Sequence, residues 1–472
     1  MMRFKTLLFI ALLNCIGTTM VAQTATTEKY VFDLQDCINY ADEHQTSVLN
    51  AGIDIKIAEA KVKETIGIGL PQLSGKADFS DYLKSPVVLF PDFIGPVIYD
   101  ILKDEDIRDA NGNPIVQPDG VGGFQEVNFQ QKYNASVGLT LSQLLFDGSY
   151  LVGLQASRTY KELSQRNYLR TRIETNVAVT KAFYLVLVNN EQITLLNANI
   201  DQLKAQLDQT KALNENGFAE KIDVDRLTVL YNNLITEREN IKRSLILGNQ
   251  LLKFQMGMPL EKELEVKGEI SDIDLTEQTF LPDSTVYRNR IEYDLAETQL
   301  KLNELDLKRY RSQYLPTLAA FGSTTLQYQN NSFSDLFKDR YPNTLIGLQL
   351  NVPIFSGFQK LNRVKQAKLT VEKSNNDLFN TKNAINLEIK NTATTYKNSL
   401  ASLNNQRSNL ALANEVLRVS RIKYEEGVGS SIEVTQAQTS LKEAENNYIK
   451  ALYDAVTNKV ELDKALGNII EK

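Results

Sequence analysis

The sequence predicts an α+β membrane protein, mainly α-helical, in which one design is used twice. Three observations carry that reading. Alternating polar and apolar residues at 133–141 and 346–352 each lead toward a Phe-x-Gly exit, Phe146-Asp-Gly148 and Phe355-Ser-Gly357. Each exit opens a long stretch whose apolar residues recur about every 3.5 positions, the spacing of helices that wind about neighbours. Beyond the N-terminal segment there is no run of about 18 apolar residues, so any bilayer crossing has to be made by strands in a closed barrel.

Residues 1–23 read as a cleaved secretory signal, with Arg3 and Lys5 as a basic start, an apolar run at 7–13 and small or polar residues at 18–23. Lipidation at Cys15 is an alternative that Asn14, standing where a small residue is expected, fits poorly. Cleavage takes away the two positive charges of Arg3 and Lys5, moving the formal charge from −6 to −8, and leaves Cys37 without an intrachain partner.

The mature chain then divides into a first repeat, 24–258, an equatorial linker, 259–283, and a second repeat, 284–472. Leu70-Pro-Gln-Leu73 matches Leu315-Pro-Thr-Leu318, and Gly138-Leu-Thr-Leu141 matches Gly347-Leu-Gln-Leu350. Gly217 followed by Ile222-Asp-Val224 matches Gly427 followed by Ile432-Glu-Val434. Each repeat reads helix, strand, loop, strand, helix, tight turn, helix. The opening helices are expected at 33–66 and 285–313, both stopped by proline chemistry, and the strands at 72–82, 128–146, 317–328 and 344–355. A Pro- and Gly-rich insertion at 84–127 reads as a long loop. Alternation alone also suits a half-buried soluble sheet, but it fits strands with lipid on one face and water on the other.

The helical seams follow. Tyr396, Leu400, Leu403, Leu410, Leu417 and Tyr424 descend one helix, and Val434, Ala437, Leu441, Ala444, Ala451 and Ala455 return. Leu227, Leu234 and Ile241 repeat the return in the first half. A helix over 149–214 is about 100 Å long at 1.5 Å per residue, and a seam this narrow calls for oligomerisation. Four strands per chain are too few to close a bilayer barrel, for which about eight is the minimum, so several chains must pool them.

Composition excludes other classes. Hydrophobic residues make up 42%, Trp is absent, and the negative balance argues against a nucleic-acid partner. With 1 His and 2 Cys, no catalytic constellation, metal site or cofactor motif is expected. Cys37 reads as packed and inert, and His44 as a capping or solvated helix residue. A secreted, soluble coiled-coil scaffold remains the alternative function.

The ordered set of Leu-Pro strands, Phe-x-Gly exits and Gly-containing hairpin tips, met twice over most of the mature chain, resembles the TolC-like outer-membrane factor family of efflux and secretion channels. The resemblance implies a homotrimer with a 12-stranded outer-membrane β-barrel, continued by a long periplasmic α-helical barrel. It also implies passive conduction of small molecules or protein, with a periplasmic adaptor protein linking the duct to an inner-membrane transporter, and outer-membrane lipid around the barrel. The tips near 214–223 and 424–433 would be the adaptor-docking surface: Gly217, Phe218 and Ala219, with Gly427, Val428 and Gly429. Asp223, Glu433 and Gln436 would line the periplasmic constriction, Gln436 standing where a second acid is expected and so weakening the negative ring. Ser430-Ser-Ile-Glu433 equally fits a capping box. The family's Tyr and Arg partners of the aperture are not evident at matching positions.

Overall fold

The computed structural model describes residues 29–270, 273–276 and 286–469. The expected signal at 1–23, with Cys15, lies outside them, as does part of the expected linker. In chain order the first repeat contains β1 (Lys29–Phe32), α1 (Leu34–His44), α2 (Thr46–Ile68), β2 (Gln72–Asp81), β3 (Val88–Pro91), α3 (Ile94–Asp104), β4 (Phe124–Val127), β5 (Tyr133–Phe146), α4 (Gly148–Glu215) and α5 (Lys221–Met256). There follow β6 (Glu263–Val266), a 3-10 turn at Val286–Asn289, α6 (Ile291–Ser312), β7 (Thr317–Asn330), β8 (Tyr341–Asn351), α7 (Gln359–Glu425) and α8 (Ser431–Leu466). The described residues form two compact units, those within Met1–Lys56, Glu162–Thr298 and Asn376–Lys472 in one, and Ile57–Lys161 and Gln299–Asn375 in the other.

The first unit is helical, and its core is a set of seams. Leu196, Ile200, Leu203 and Leu207 of α4 pack on Leu227, Leu234 and Ile241 of α5. In the second repeat Leu417 of α7 meets Val434, Ala437 and Leu441 of α8. Burying each such leucine contributes about 2 kcal/mol, so a hairpin is held by repetition along its length. Farther along, Val179, Phe183 and Val186 enclose Cys37, Ala41, Leu252 and Met256. Burial there pushes the Cys37 thiol up to about 12, with Asp36 and Asp33 adding to the shift, so it carries almost no thiolate at neutral pH.

The opening helices are broken where continuous ones were expected. Gln45 interrupts the first, and its side-chain amide donates to the carbonyls of Phe254 (3.1 Å) and Gln255 (2.8 Å) at the end of α5. Arg290 interrupts the second, donating to the carbonyl of Ala465 at 3.1 Å near the end of α8. In each repeat the broken helix caps the returning one, satisfying carbonyls that no further turn can reach. That demand, set by residues far away in sequence, overrides the local helical pattern.

The equatorial segment also holds more than a linker, because β6 pairs in parallel with β1, Lys29 opposite Glu263 through Phe32 opposite Val266. The second unit contains an antiparallel sheet of order β2-β5-β7-β8. The expected loop at 84–127 contains regular structure, with β3 paired to β4 and followed by α3, none of whose residues is buried. Its prolines do not break these elements: Pro91 ends β3, and Pro96 lies in the first turn of α3, where backbone N–H groups have no helical partner anyway.

Candidate functional site

The sheet separates its two faces residue by residue. Antiparallel partners project to the same side, so Leu73, Ala77 and Phe79 of β2 share a face with Leu141, Val137 and Ala135 of β5. That face continues through Leu326 of β7 and Ile346, Leu348 and Leu350 of β8. Most of its apolar side chains are exposed, Ile346 by 89% and Leu348 by 69%, while Ala135 is buried and Leu326 half-buried; a water-facing sheet would not sustain so many exposed positions. The two threonine hydroxyls on it, of Thr324 and Thr344, bond each other at 3.0 Å. The opposite face carries Ser74, Lys76, Asp78, Ser136, Thr140, Ser323 and Gln327. Lys76 and Asp78 form an ion pair of 2.9 Å there. At the sheet end away from Phe146, Phe333 meets Phe79 (6.1 Å) and Tyr133 (5.5 Å) edge-on, and Phe337 meets Tyr328 (5.3 Å). Aromatic rings at that level mark a membrane interface.

The two Phe-x-Gly exits are chemically related but built differently. At the first, β5 runs to Phe146, and Asp147 caps α4 at once, its carboxylate accepting from the N–H groups of Ser149 (2.7 Å) and Tyr150 (3.1 Å). Gly148 is required by closeness: a Cβ would stand 2.9 Å from Leu315 and 3.2 Å from Ser312. At the second, β8 stops at Asn351 and α7 starts only at Gln359. Between them Gly357 (φ 57°) and Phe358 (φ 61°) adopt left-handed conformations, and Phe355 stacks edge-on against Phe358 at 5.5 Å. Ser356 supplies no carboxylate cap like that of Asp147, and the chain turns through the backbone instead.

The hairpin tips repeat closely. Gly217 (φ 78°) and Gly427 (φ 76°) each end a helix in the left-handed conformation that glycine takes without a Cβ penalty. Phe218 N–H bonds back to Leu213 at 2.9 Å, and Val428 N–H to Lys423 at 2.9 Å, the same closing turn twice. Phe218 (82%) and Val428 (79%) point outward into solvent. Ala219 is anchored through its carbonyl by Asn214 (2.7 Å), whereas Gly429 is sterically tight, its missing Cβ site lying 2.8 Å from the Cβ of Lys423.

Beside the tips the three expected aperture residues occupy two environments. Glu433 and Gln436 are exposed, one helical turn apart in α8. Ser430 caps that helix, its hydroxyl accepting from the Glu433 N–H at 3.3 Å, which is the serine half of the expected capping box. Asp223 is largely covered: it accepts from the Ser431 hydroxyl and lies 3.5 Å from Arg226, which in turn reaches Ser431 at 3.4 Å. Tyr424 lies nearby, its phenol pushed up by burial and by Asp223. An Arg and a Tyr therefore do gather at the tip acid. Local sequence hides this, because Ser431 is in the other repeat and Arg226 looks like an ordinary i+3 helix partner of Asp223.

Known proteins share the fold that carries these tips. The family described as outer membrane efflux protein matches residues 108–233 and 285–468. The chain belongs to that family. The outer membrane protein TolC of Vibrio cholerae is 23% identical over 71% of this chain and 77% of its own length. The alkaline protease secretion protein AprF of Pseudomonas aeruginosa is 24% identical over 74% and 73%. The open-state MtrE outer membrane channel of Neisseria gonorrhoeae superposes with a TM-score of 0.70 at 18% identity, covering 92% of this chain and 88% of its own. The protein is thus an outer-membrane channel of a transport family, not of an enzyme family, and the soluble-scaffold alternative is set aside.

Proposed function

We propose that three copies of this chain close a 12-stranded barrel and form a passive exit duct, reached from the inner-membrane transporter through a periplasmic adaptor protein. The observation that carries this reading is the four-stranded sheet, apolar on one face and polar on the other, whose edge strands β2 and β8 each have one neighbour in the chain. Unpaired edges and an exposed apolar face are costly in isolation, and neighbouring copies and lipid satisfy both. The tips Gly217-Phe-Ala219 and Gly427-Val-Gly429 are the adaptor-docking surface in this reading, with Phe218 and Val428 as apolar contacts. Efflux of small molecules and export of protein use the same duct, and the name of the AprF relative favours protein among the cargoes to be tried.

At the periplasmic end, Asp223, Glu433 and Gln436 line the constriction, and the Asp223–Ser431–Arg226 cluster holds the two hairpins together. A ring of carboxylates concentrates cations. In planar bilayers, Asp223→Ala with Glu433→Ala is expected to lower cation selectivity, and Ser431→Ala to raise open probability while keeping selectivity. Unchanged selectivity in a folded double variant leaves Glu433 only a capping role. Docking is tested by Ala219→Arg, which is expected to lower adaptor crosslinking while membrane insertion is kept. Gly429→Arg is the poorer probe, since its side chain collides with Lys423.

A further inference from the structure

The hairpins of each repeat are held internally by leucine seams, but the joint between them carries a line of polar side chains beside apolar ones. On α8 the heptad positions 431, 438 and 445 are Ser, Gln and Glu; on α4 the positions 192, 199 and 206 are Gln, Asn and Gln. Gln438 and Gln206 are each only 5% exposed, and the side-chain oxygen of Gln206 accepts no hydrogen bond within the chain. At the middle of this joint both oxygens of Glu445 lie 2.6 Å from the single amide nitrogen of Asn199. Glu445 lines a small cavity with Gln192, Leu196, Glu237, Ile241, Lys442 and Ile449.

We infer that the joint between the two hairpins is proton-sensitive, with Glu445 as its sensor: protonation tightens α8 against α4 and α5, and ionisation loosens it. The inference extends the proposed aperture, in which separation of the hairpins opens the duct. The groups facing Glu445 leave its charge without compensation. From α4 come the neutral amides of Asn199 and Gln192. From α5 comes Glu237, a second carboxylate. Among the described residues lining the cavity the cation is Lys442, on α8 itself, and it is ion-paired with Glu237. The seam of α8 that meets α7 is apolar, formed by Val434, Ala437 and Leu441 against Leu417.

Burial, with Glu237 adding repulsion and Asn199 partly offsetting both, raises the Glu445 carboxyl to about 7. The packed joint therefore binds a proton more tightly than a solvated carboxylate does. The favour for closure is full below the solvated carboxylate's value of 4.5, declines above it, and is lost as pH rises through about 7. If Glu445 is solvated in the separated state, the ratio of separated to closed joints rises roughly tenfold between pH 6 and pH 8.

The test uses the full chain in non-denaturing detergent with Ile449→Cys as a reporter, since Ile449 is buried beside Glu445 and the native Cys37 is unreactive. Maleimide labelling is read at pH 6 and pH 8 and divided by labelling of the same reporter carrying Glu445→Gln, which cancels the pH dependence of the thiol. The expected result is a ratio rising roughly tenfold. Amide exchange over 438–449 in chains lacking the cysteine reporter, wild type against Glu445→Gln, gives the same comparison should that reporter misfold. A ratio flat with pH, or amide protection with the same pH dependence in both chains, overturns the sensor. Bilayer conductance is recorded in parallel: labelling that follows Glu445 with conductance unmoved supports the sensor and sinks the proposed aperture.

Discussion

Arg290 shows how one residue closes a repeat. Its guanidinium is 4% exposed and donates to Glu292 (2.9 Å), Glu388 (3.0 Å) and the Ala465 carbonyl (3.1 Å). A planar fork with five donors satisfies three acceptors in one plane, which an ammonium on a flexible stem cannot. Arg290→Met is therefore expected to cost about 1.5–3 kcal/mol, the range for hydrogen bonds to a charged group, and Arg290→Lys less. The measurement is the denaturant midpoint for helix loss by circular dichroism in detergent, and a midpoint for Arg290→Met equal to that of wild type contradicts it. Gln45 does the corresponding work in the first repeat with a neutral amide, so Gln45→Ala should cost less, about 1 kcal/mol. Neither residue announces itself in the sequence. A glutamine and an arginine inside helical patterns look like surface positions, and their caps lie in helices reached only after a long excursion of chain. Cys37 was legible, because a lone cysteine beside Ile38 on an amphipathic helix has few roles other than packing.

At the scale of elements, alternation decided what the sequence could show. A period of two is a property of neighbouring residues, so β2, β5, β7 and most of β8 were visible, and the register then places Leu139 on the apolar face and Ser136 on the polar one. The prediction that follows is directional. Leu139→Arg exposes a charge to hydrocarbon and is expected to destabilise the barrel by about 2–4 kcal/mol, whereas Ser136→Arg, facing the lumen, changes conductance and leaves folding nearly intact. Unfolding from detergent micelles read by heat-modifiable gel mobility separates the two; equal losses would contradict the assignment of faces. The exits were half legible. Phe-x-Gly occurs at both, but whether Asp147 or Ser356 stands between decides if the helix is capped immediately or after two left-handed residues. The excursion at 84–127 was misread because proline was taken as a breaker, although at a strand end or first helical turn it breaks nothing.

The whole molecule is defined by surfaces that one chain leaves unsatisfied. The edges of β2 and β8 have hydrogen-bonding groups directed away from the sheet, and four strands fall short of any bilayer barrel. The helices show the same incompleteness. Leu361, Leu369, Phe379 and Leu387 of α7 are all more than half exposed, and Leu49, Ile53 and Ile57 on α2 are similarly uncovered. Rows of this kind suit another helix lying against them, and the proposed assembly supplies one from a further copy of the same chain. The protein is therefore expected to leave the membrane in mild detergent as a trimer, with native mass spectrometry giving three times the mature chain. Phe379→Asp places a carboxylate in the middle of the α7 row, where an apposed helix would have to desolvate it. It should lower the trimer fraction severalfold while the monomer keeps its helical content, because Phe379 is 67% exposed within its own chain and contributes little to it. A monomeric mass for the wild-type protein, or a trimer indifferent to Phe379→Asp and to a matching Leu369→Asp, would mean that these rows face lipid or solvent and that the duct is assembled through other surfaces.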